Sequence, residues 1–429
     1  MDLLSIAVVT SGLLAYALVS GRLTGTIITA PLIFVVFGFA ISDAGFGLAS
    51  VDPGHAGIHL IAEFTLILVL FVDAARIDLG SVKDDHNLPL RMLIGGLPMA
   101  MAAGTAVAIF VFPQLGMWEA ALLAALLAPT DAALGQSVVS AKAVPIRIRQ
   151  AINIESGLND GIALPAVLMF AAMAGSAAEM MHNGEPVNWV QFGLLQVTLG
   201  PVVGIVLGYL GARLVDTATR RKWAGTAFSG IGALSLAVFT YAIAELVGGN
   251  GFIATFVGGM VFGNTVRHSC DFLFEFMETE GQLLMLITFL IFGAVLLPEA
   301  LPHVDMMVVA YALLSLTVIR MLPIALSLLG SGVSMPTKLF LGWFGPRGLA
   351  SILFVLLILE EFEFPHHETL LTVTVITVAF SALLHGLSAA PLAAAYGRLA
   401  GKMGKCEENR PVADMPLREG MIETNEEHA

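Results

Sequence analysis

Apolar residues along this chain gather into thirteen runs, at about 3 to 21, 25 to 42, 57 to 76, 91 to 112, 117 to 139, 149 to 174, 189 to 213, 226 to 247, 250 to 264, 280 to 299, 305 to 328, 337 to 359 and 368 to 392. Most are close to the ~20 residues an α-helix needs to cross ~30 Å of hydrocarbon. Short polar connections separate them. The pattern predicts an all-α polytopic membrane protein of about thirteen transmembrane helices. The first run opens MDLLSIAVV, without a basic leader segment, and reads as a retained span.

Composition narrows the function classes. Of 429 residues, 57% are hydrophobic and 12% charged, which excludes an ordinary soluble enzyme. Lys+Arg is 20 against Asp+Glu 33, a formal net charge of -13 with no basic stripe, so nucleic acid is not a partner. Cys270 and Cys406 lie far apart beside polar segments and suggest neither a disulfide framework nor a zinc site.

Lys and Arg near span ends prefer the cytoplasmic side. They fall after the first span (Arg22), the third (Arg76, Lys83, Arg91), the fifth (Lys142, Arg147, Arg149), the seventh (Arg220, Arg221, Lys222), the ninth (Arg267), the eleventh (Lys338) and in the tail. The intervening connections carry none. This alternation predicts an odd number of spans in a plasma membrane, a bacterial inner membrane, with the N-terminus outside and the C-terminus cytoplasmic. Residues 398–429 read as a short cytoplasmic tail. The acidic outer connections, Asp52 and Glu179 among them, read as solvated loop surface.

An ionisable side chain at bilayer depth costs several kcal/mol unless paired or hydrated, so function is sought where the apolar pattern fails. The acidic exceptions are Glu63, Asp73, Asp131, Glu155, Asp160 and Glu245; the basic ones are Arg320 and Arg347. Carboxylates outnumber fixed cations, so some must be neutralised by protons or bound cations, as cation/proton exchange requires. In AINIESGLNDGIALP, residues 151–165, helical geometry puts Glu155 and Asn159 on one face and Ser156 and Asp160 on an adjacent one. Glu155 then pairs with an intramembrane arginine. Asp160 exchanges, with Ser156 as a neutral oxygen ligand.

In LLAPTDAALG, residues 126–135, Pro129 breaks the fifth span and frees carbonyls that can ligate a cation, with Thr130 and Asp131 beside them. GWFGPRGLAS, residues 342–351, interrupts the twelfth span in the same way. Paired interruptions in equivalent places point to inverted-repeat transporters with a site at the bilayer midplane. With the seventh span as linker, spans one to six and eight to thirteen form two six-helix halves.

Taken together, ESGLND, PTD and GPRG resemble the monovalent cation/proton antiporter superfamily, in its sodium/proton exchanger branch (bacterial NhaP and animal NHE type). The resemblance runs across the hydrophobic chain in span number and spacing. It implies a transmembrane antiporter domain, 1–397, with core helices at about 91–174 and 305–392 and dimerisation helices at about 3–76 and 189–299, acting as a homodimer. By motif match, Asp160 is the cation- and proton-binding aspartate, Asn159 its partner, and Asp131 with Thr130 the broken-helix element. Glu155 and Arg347 correspond to the family's buried ion pair. Asp73 stands where many relatives carry a glutamate and, one methylene shorter, acts through water. The Asn-Asp pair implies electroneutral exchange of one cation, sodium before lithium or potassium, for one proton by alternating access, with no enzymatic step and no cofactor.

Plainer roles remain for the other polar residues. Glu63 and Glu245 read as hydrogen-bonded structural residues, Arg320 as a structural partner of a core carboxylate or a helix cap, His385 as a packing histidine, and Asn250-Gly251 as a turn. Three other classes fit less well. An intramembrane aspartyl protease lacks its GxGD context, a channel its filter loop, and a cation sensor a larger soluble domain.

Overall fold

With no water to satisfy them, backbone groups in lipid must close their hydrogen bonds within the segment. The computed structural model accordingly turns each of the thirteen apolar runs into helix. It describes residues 3–23, 29–48, 56–77, 79, 87–131, 134–175, 181–182, 185–186, 189–223, 225–266, 271–403 and 406–410. Asp52, Lys83, Glu179, Arg267, Cys270 and the tail beyond 410 lie outside the described residues.

The first three spans are α1 (Leu3–Leu23), α2 (Ala30–Ile41) and α3 (Ala56–Ala75). The fourth enters through a π-helical turn at Arg91–Gly96 and continues as α4 (Leu97–Val111). The fifth is broken into α5 (Met117–Leu126) and α6 (Gln136–Val139), and α7 (Ile146–Ala174) follows. After a short antiparallel pair, Met181–His182 with Glu185–Pro186, come α8 (Trp189–Arg220), α9 (Thr226–Leu246), α10 (Gly251–Thr265) and α11 (Asp271–Ile291). The eleventh span is α12 (Met306–Leu316) and α13 (Val318–Ser327), parted at Thr317, whose φ of -111° and ψ of -94° are not helical. The twelfth is broken into α14 (Met335–Trp343) and α15 (Leu349–Glu361), followed by α16 (His367–Lys402) and a short 3-10 turn at Glu407–Asn409.

Among the described residues, 7 helical stretches are long and apolar enough to cross a membrane by length and composition. The unwound residues 127–131 and 344–348 fall where Pro129 and the Gly-Pro-Arg-Gly sequence predict an interruption.

Two groups of helices pack against each other. In one, α10 lies along α8 and α3, and α11 along α2 and α3. In the other, α4, α5 and α7 pack in sequence, α12 lies on α16, and α13 on α14. Close backbone approach needs small residues. A Cβ added at Gly263 would sit 1.8 Å from the Ala75 carbonyl oxygen, so only glycine lets α10 lie this close to α3. The groups meet where α7 and α15 face α3 and where α7 faces α10.

Glu63 accepts from the Tyr241 hydroxyl (2.6 Å), Glu245 accepts from the Gly251 amide (2.7 Å), and Asn250 caps α10 by accepting from the Ile253 amide (2.9 Å). Glu63 and Glu245 are thus hydrogen-bonded, and Asn250, which the sequence suggested as a turn, is the N-cap of α10.

Candidate functional site

The two broken spans cross at their unwound middles and complete each other's backbone. The Asp131 amide donates to the Pro346 carbonyl (2.7 Å), and the Leu349 amide, first in α15, donates to Asp131 Oδ2 (2.9 Å). A helix N-terminus presents orphan amides and partial positive charge, so a carboxylate there is favourable. Asp131 therefore caps α15 from the opposite break. Gly348 makes room for it: a Cβ there would lie 2.1 Å from Asp131 Oδ2.

Arg347 answers in the other direction. Its Nη1 donates to the carbonyls of Ala128 (3.1 Å) and Pro129 (3.3 Å), and to that of Gly345 (3.3 Å). The carbonyls that Pro129 frees are thus occupied by a guanidinium group, where the sequence suggested a cation.

Beside this crossing, α7 carries the ESGLND sequence, and its faces divide the labour. Glu155 is fully buried and its Oε1 lies 2.9 Å from Arg320 Nη1, so the buried ion pair is Glu155 with Arg320. This corrects the expected pairing of Glu155 with Arg347. The reason lies in the backbone: the break directs Arg347 at the carbonyls of the opposite break, while the distortion at Thr317 precedes Arg320 by less than a turn. Gly345 gives Arg320 its space, since a Cβ there would fall 2.5 Å from Arg320 Nε. Both glycines of the GPRG sequence are thus explained by what lies against them.

Thr130 ties the first break to α7. Its hydroxyl donates to Glu155 Oε2 (3.1 Å), lies 3.1 Å from Ser156 Oγ, and accepts a short hydrogen bond from Asn159 Nδ2. Asn159 Nδ2 also lies 3.4 Å from Glu155 Oε1, while Asn159 Oδ1, fully buried, has no hydrogen-bond partner among the described residues.

Asp160 faces elsewhere. At 100° per residue it stands about 60° from Gly157, whereas Glu155 points to the far side of the helix. Gly157 abuts Ile77 and the Asp73 backbone of α3, and Gly161 abuts the Phe256 ring of α10. Asp160, 9% exposed, therefore lies on the face of α7 turned to the seam between the two helix groups. Partly buried Asp73 borders the same seam from α3.

The predicted residues thus fall into three places. Thr130, Glu155, Ser156 and Asn159 form one network, Asp131 and Arg347 hold the crossing, and Asp160 and Asp73 line the seam. Sequence reasoning left Arg320 as a structural residue without naming its partner, and it missed Ser381, whose Oγ accepts from the Arg347 amide (2.6 Å). Nothing in the spacing around Ser381 marks it out. Among the described residues, no three His, Cys, Asp or Glu side chains converge as in a resident metal centre. A transported cation in this region would be met by a carboxylate with neutral oxygens.

Comparison with known proteins places this architecture. The family described as "Sodium/hydrogen exchanger, transmembrane" matches residues 8–395. A K(+)/H(+) antiporter NhaP of Alkalimonas amylolytica is 24% identical over 432 residues, covering 97% of this chain and 70% of that protein. A K(+)/H(+) antiporter NhaP2 of Shewanella oneidensis is 26% identical over 328 residues, covering 75% of this chain and 55% of that one. The chain thus spans between half and three quarters of the length of these two relatives. Among solved structures, the sodium proton antiporter MjNhaP1 of Methanocaldococcus jannaschii superposes with a TM-score of 0.73 at 17% identity, over 91% of this chain and 96% of that chain. With crossed broken helices, a family match across nearly all of its spans and this shared fold, the chain belongs to the sodium/hydrogen exchanger transmembrane family.

Proposed function

We propose that this protein exchanges a monovalent cation for a proton across a membrane, the two competing for Asp160. One observation carries the reading. On α7, Asp160 lies on the face turned to the seam between the helix groups, away from the buried Glu155–Arg320 pair. A carboxylate crossing an apolar seam uncompensated costs several kcal/mol. Occupied by a proton or by one monovalent cation it is neutral, and this couples the two fluxes.

Asp160 is the primary ligand, with oxygens of Ser156, Thr130 and Asn159 and the charge of Asp131 shaping the site and Asp73 acting from α3 through water. Asn159 rather than a second acid stands beside Asp160, which supports one-for-one, electroneutral exchange. The helices of 91–174 and 305–392 form the moving core, and those of 3–76 and 189–299 the homodimer-forming part. The protein sits in the plasma membrane with its N-terminus outside. Sodium is the cation in this reading. The relatives named for potassium exchange favour potassium as a second reading.

Proteoliposome exchange tests all of this, with sodium, lithium or potassium gradients, a pH-sensitive dye and the voltage clamped. Wild type should move protons against the preferred cation at a rate independent of voltage. Asp160→Asn should abolish exchange, and Asp160→Glu should retain a reduced rate. Full-rate exchange by Asp160→Asn would remove the assignment, and a steep voltage dependence would remove electroneutrality.

A further inference from the structure

The unwound residues 344–348 lie at membrane depth, where every amide and carbonyl needs a partner. The opposing break supplies one side. The other side is supplied by α16, through two residues that the exchange reading does not use. The Arg347 amide donates to Ser381 Oγ (2.6 Å), and His385 Nε2 lies 2.9 Å from the carbonyl of Trp343, the last residue of α14. His385 Nδ1 lies 3.3 Å from Ser381 Oγ and 3.0 Å from the Ser381 carbonyl.

Donor and acceptor counting orders these contacts. The Arg347 amide can only donate, so Ser381 Oγ accepts there and keeps its own proton to give. The Trp343 and Ser381 carbonyls can only accept and lie at similar distances from Nε2 and Nδ1, so a neutral imidazole can give its one hydrogen to only one of them. A hydrogen on Nε2 is the arrangement that ties His385 to the end of α14, and it leaves Nδ1 as an acceptor. The Ser381 hydroxyl is the donor within its reach. The chain of bonds runs from the Arg347 amide through Ser381 to His385 and back to Trp343, spanning the break from one end to the other. Ser381 and His385 are both fully buried, and the Trp343 ring stacks on the imidazole at 4.8 Å and fixes its plane.

We propose that His385, acting with Ser381, is a positioning residue of the exchange site. It holds the end of α14 and the Arg347 amide so that the Arg347 guanidinium covers the Ala128 and Pro129 carbonyls. Without it the guanidinium shifts, those carbonyls become available to cations, and the site's preference for its cation changes. This rests on the reading of Asp160 given above.

The test is a series of variants reconstituted beside wild type. His385→Gln keeps an N–H donor at the distance of Nε2, His385→Leu keeps none, and Ser381→Ala removes the middle link. The apparent KM for the transported cation and the maximal rate are measured separately, with thermal unfolding in detergent as a check of folding. His385→Leu should change KM by about tenfold, the effect of roughly one buried hydrogen bond. Ser381→Ala should move KM in the same direction, and His385→Gln should return it to near wild type. An unchanged KM in folded His385→Leu overturns the proposal, as does a KM shift that His385→Gln fails to reverse. Nitrogen-15 spectra of the histidines, with His385 assigned by the His385→Gln variant, give a readout that does not depend on transport. A hydrogen on Nε2 is expected, and a neutral ring with its hydrogen on Nδ1 overturns the proposal. Failure of wild type to exchange any cation would instead remove the functional reading and leave the spectroscopic result to stand alone.

Discussion

The two broken spans pose the same backbone problem and are held by opposite chemistries. The first break leans on α7, which offers it Glu155, Ser156 and Asn159 through Thr130. The second leans on α16, which offers Ser381 and His385. The first support includes a carboxylate, which needs its own arginine, and the next residue along, Asp160, faces the seam. The second support uses a serine and a histidine and needs no counter-charge. An inverted repeat thus supplies two copies of a scaffold, of which one is held through a carboxylate network and the other through neutral side chains.

If that division is right, removing one charge from the first support should do the most damage. Glu155→Gln leaves Arg320 buried with no counter-charge, and breaking a buried pair in this way costs about 3–5 kcal/mol. A guanidinium cannot shed its proton, whereas a carboxylate left alone can take one up. Arg320→Gln should therefore lower the unfolding temperature less than Glu155→Gln, and the double variant should recover part of the loss. Equal destabilisation by the two single variants would show that the pair's charge is not what matters.

Gly348→Ala comes next, because it sets the two breaks against each other. The new Cβ would fall 2.1 Å from Asp131 Oδ2, and Asp131 would have to leave the N-terminus of α15. Exchange should fall more than tenfold, on the order of one lost charged hydrogen bond together with a displaced site. Gly281→Ala, where a Cβ meets nothing within 4 Å, is the control and should be silent. Asp131 itself can be divided further. Asp131→Asn keeps an oxygen for the Leu349 amide and should hold stability, while Asp131→Ala should lose the ~1 kcal/mol of a helix cap. A fall in apparent cation affinity in Asp131→Asn at unchanged stability would show that its charge also reaches the transported ion.

Much of this was legible in the sequence. Run length and the rhythm of Lys and Arg define the spans, because lipid leaves the backbone no choice but helix. Pro129 and GPRG mark both breaks, and the face arithmetic of ESGLND separates Glu155 from Asp160. The partner of Glu155 was not legible. Two arginines were available, Arg320 and Arg347, and the choice turns on where a non-helical residue at Thr317 and an unwound loop direct two long side chains. Local pattern does not encode such directions. The carbonyl partners of Arg347 and the Ser381–His385 support escaped for the same reason, since they join residues 34 or more positions apart through backbone atoms.

The smallest effect tests whether the same contrast extends to the outer ends of the two broken spans. At the start of α5 the cap is local: Glu119 accepts from the Gly116 amide at 3.0 Å. At the start of α14 the carboxylate arrives from the tail, where Glu408 Oε1 accepts from the Ser334 amide (2.7 Å) and the Thr337 hydroxyl (2.9 Å). Its neighbour Glu407 pairs with Arg147 of α7 at 2.9 Å. Desolvation pushes the Glu408 carboxyl up, but the hydrogen bonds it accepts, led by that from the Ser334 amide, outweigh this and hold it at about 2. A carboxyl depressed on folding stabilises the fold above its unfolded value and loses that contribution as pH falls through the folded value. Glu408→Gln should therefore lower stability by about 1–2 kcal/mol, as for hydrogen bonds to a charged group. That difference should stay constant from pH 7 to pH 5 and shrink only as pH drops from about 4.5 toward 2. Unfolding temperatures of wild type and variant across this range measure it. A difference that already varied between pH 7 and pH 5 would mean that another group titrates at this cap, and the second broken span would then be anchored by something other than its tail.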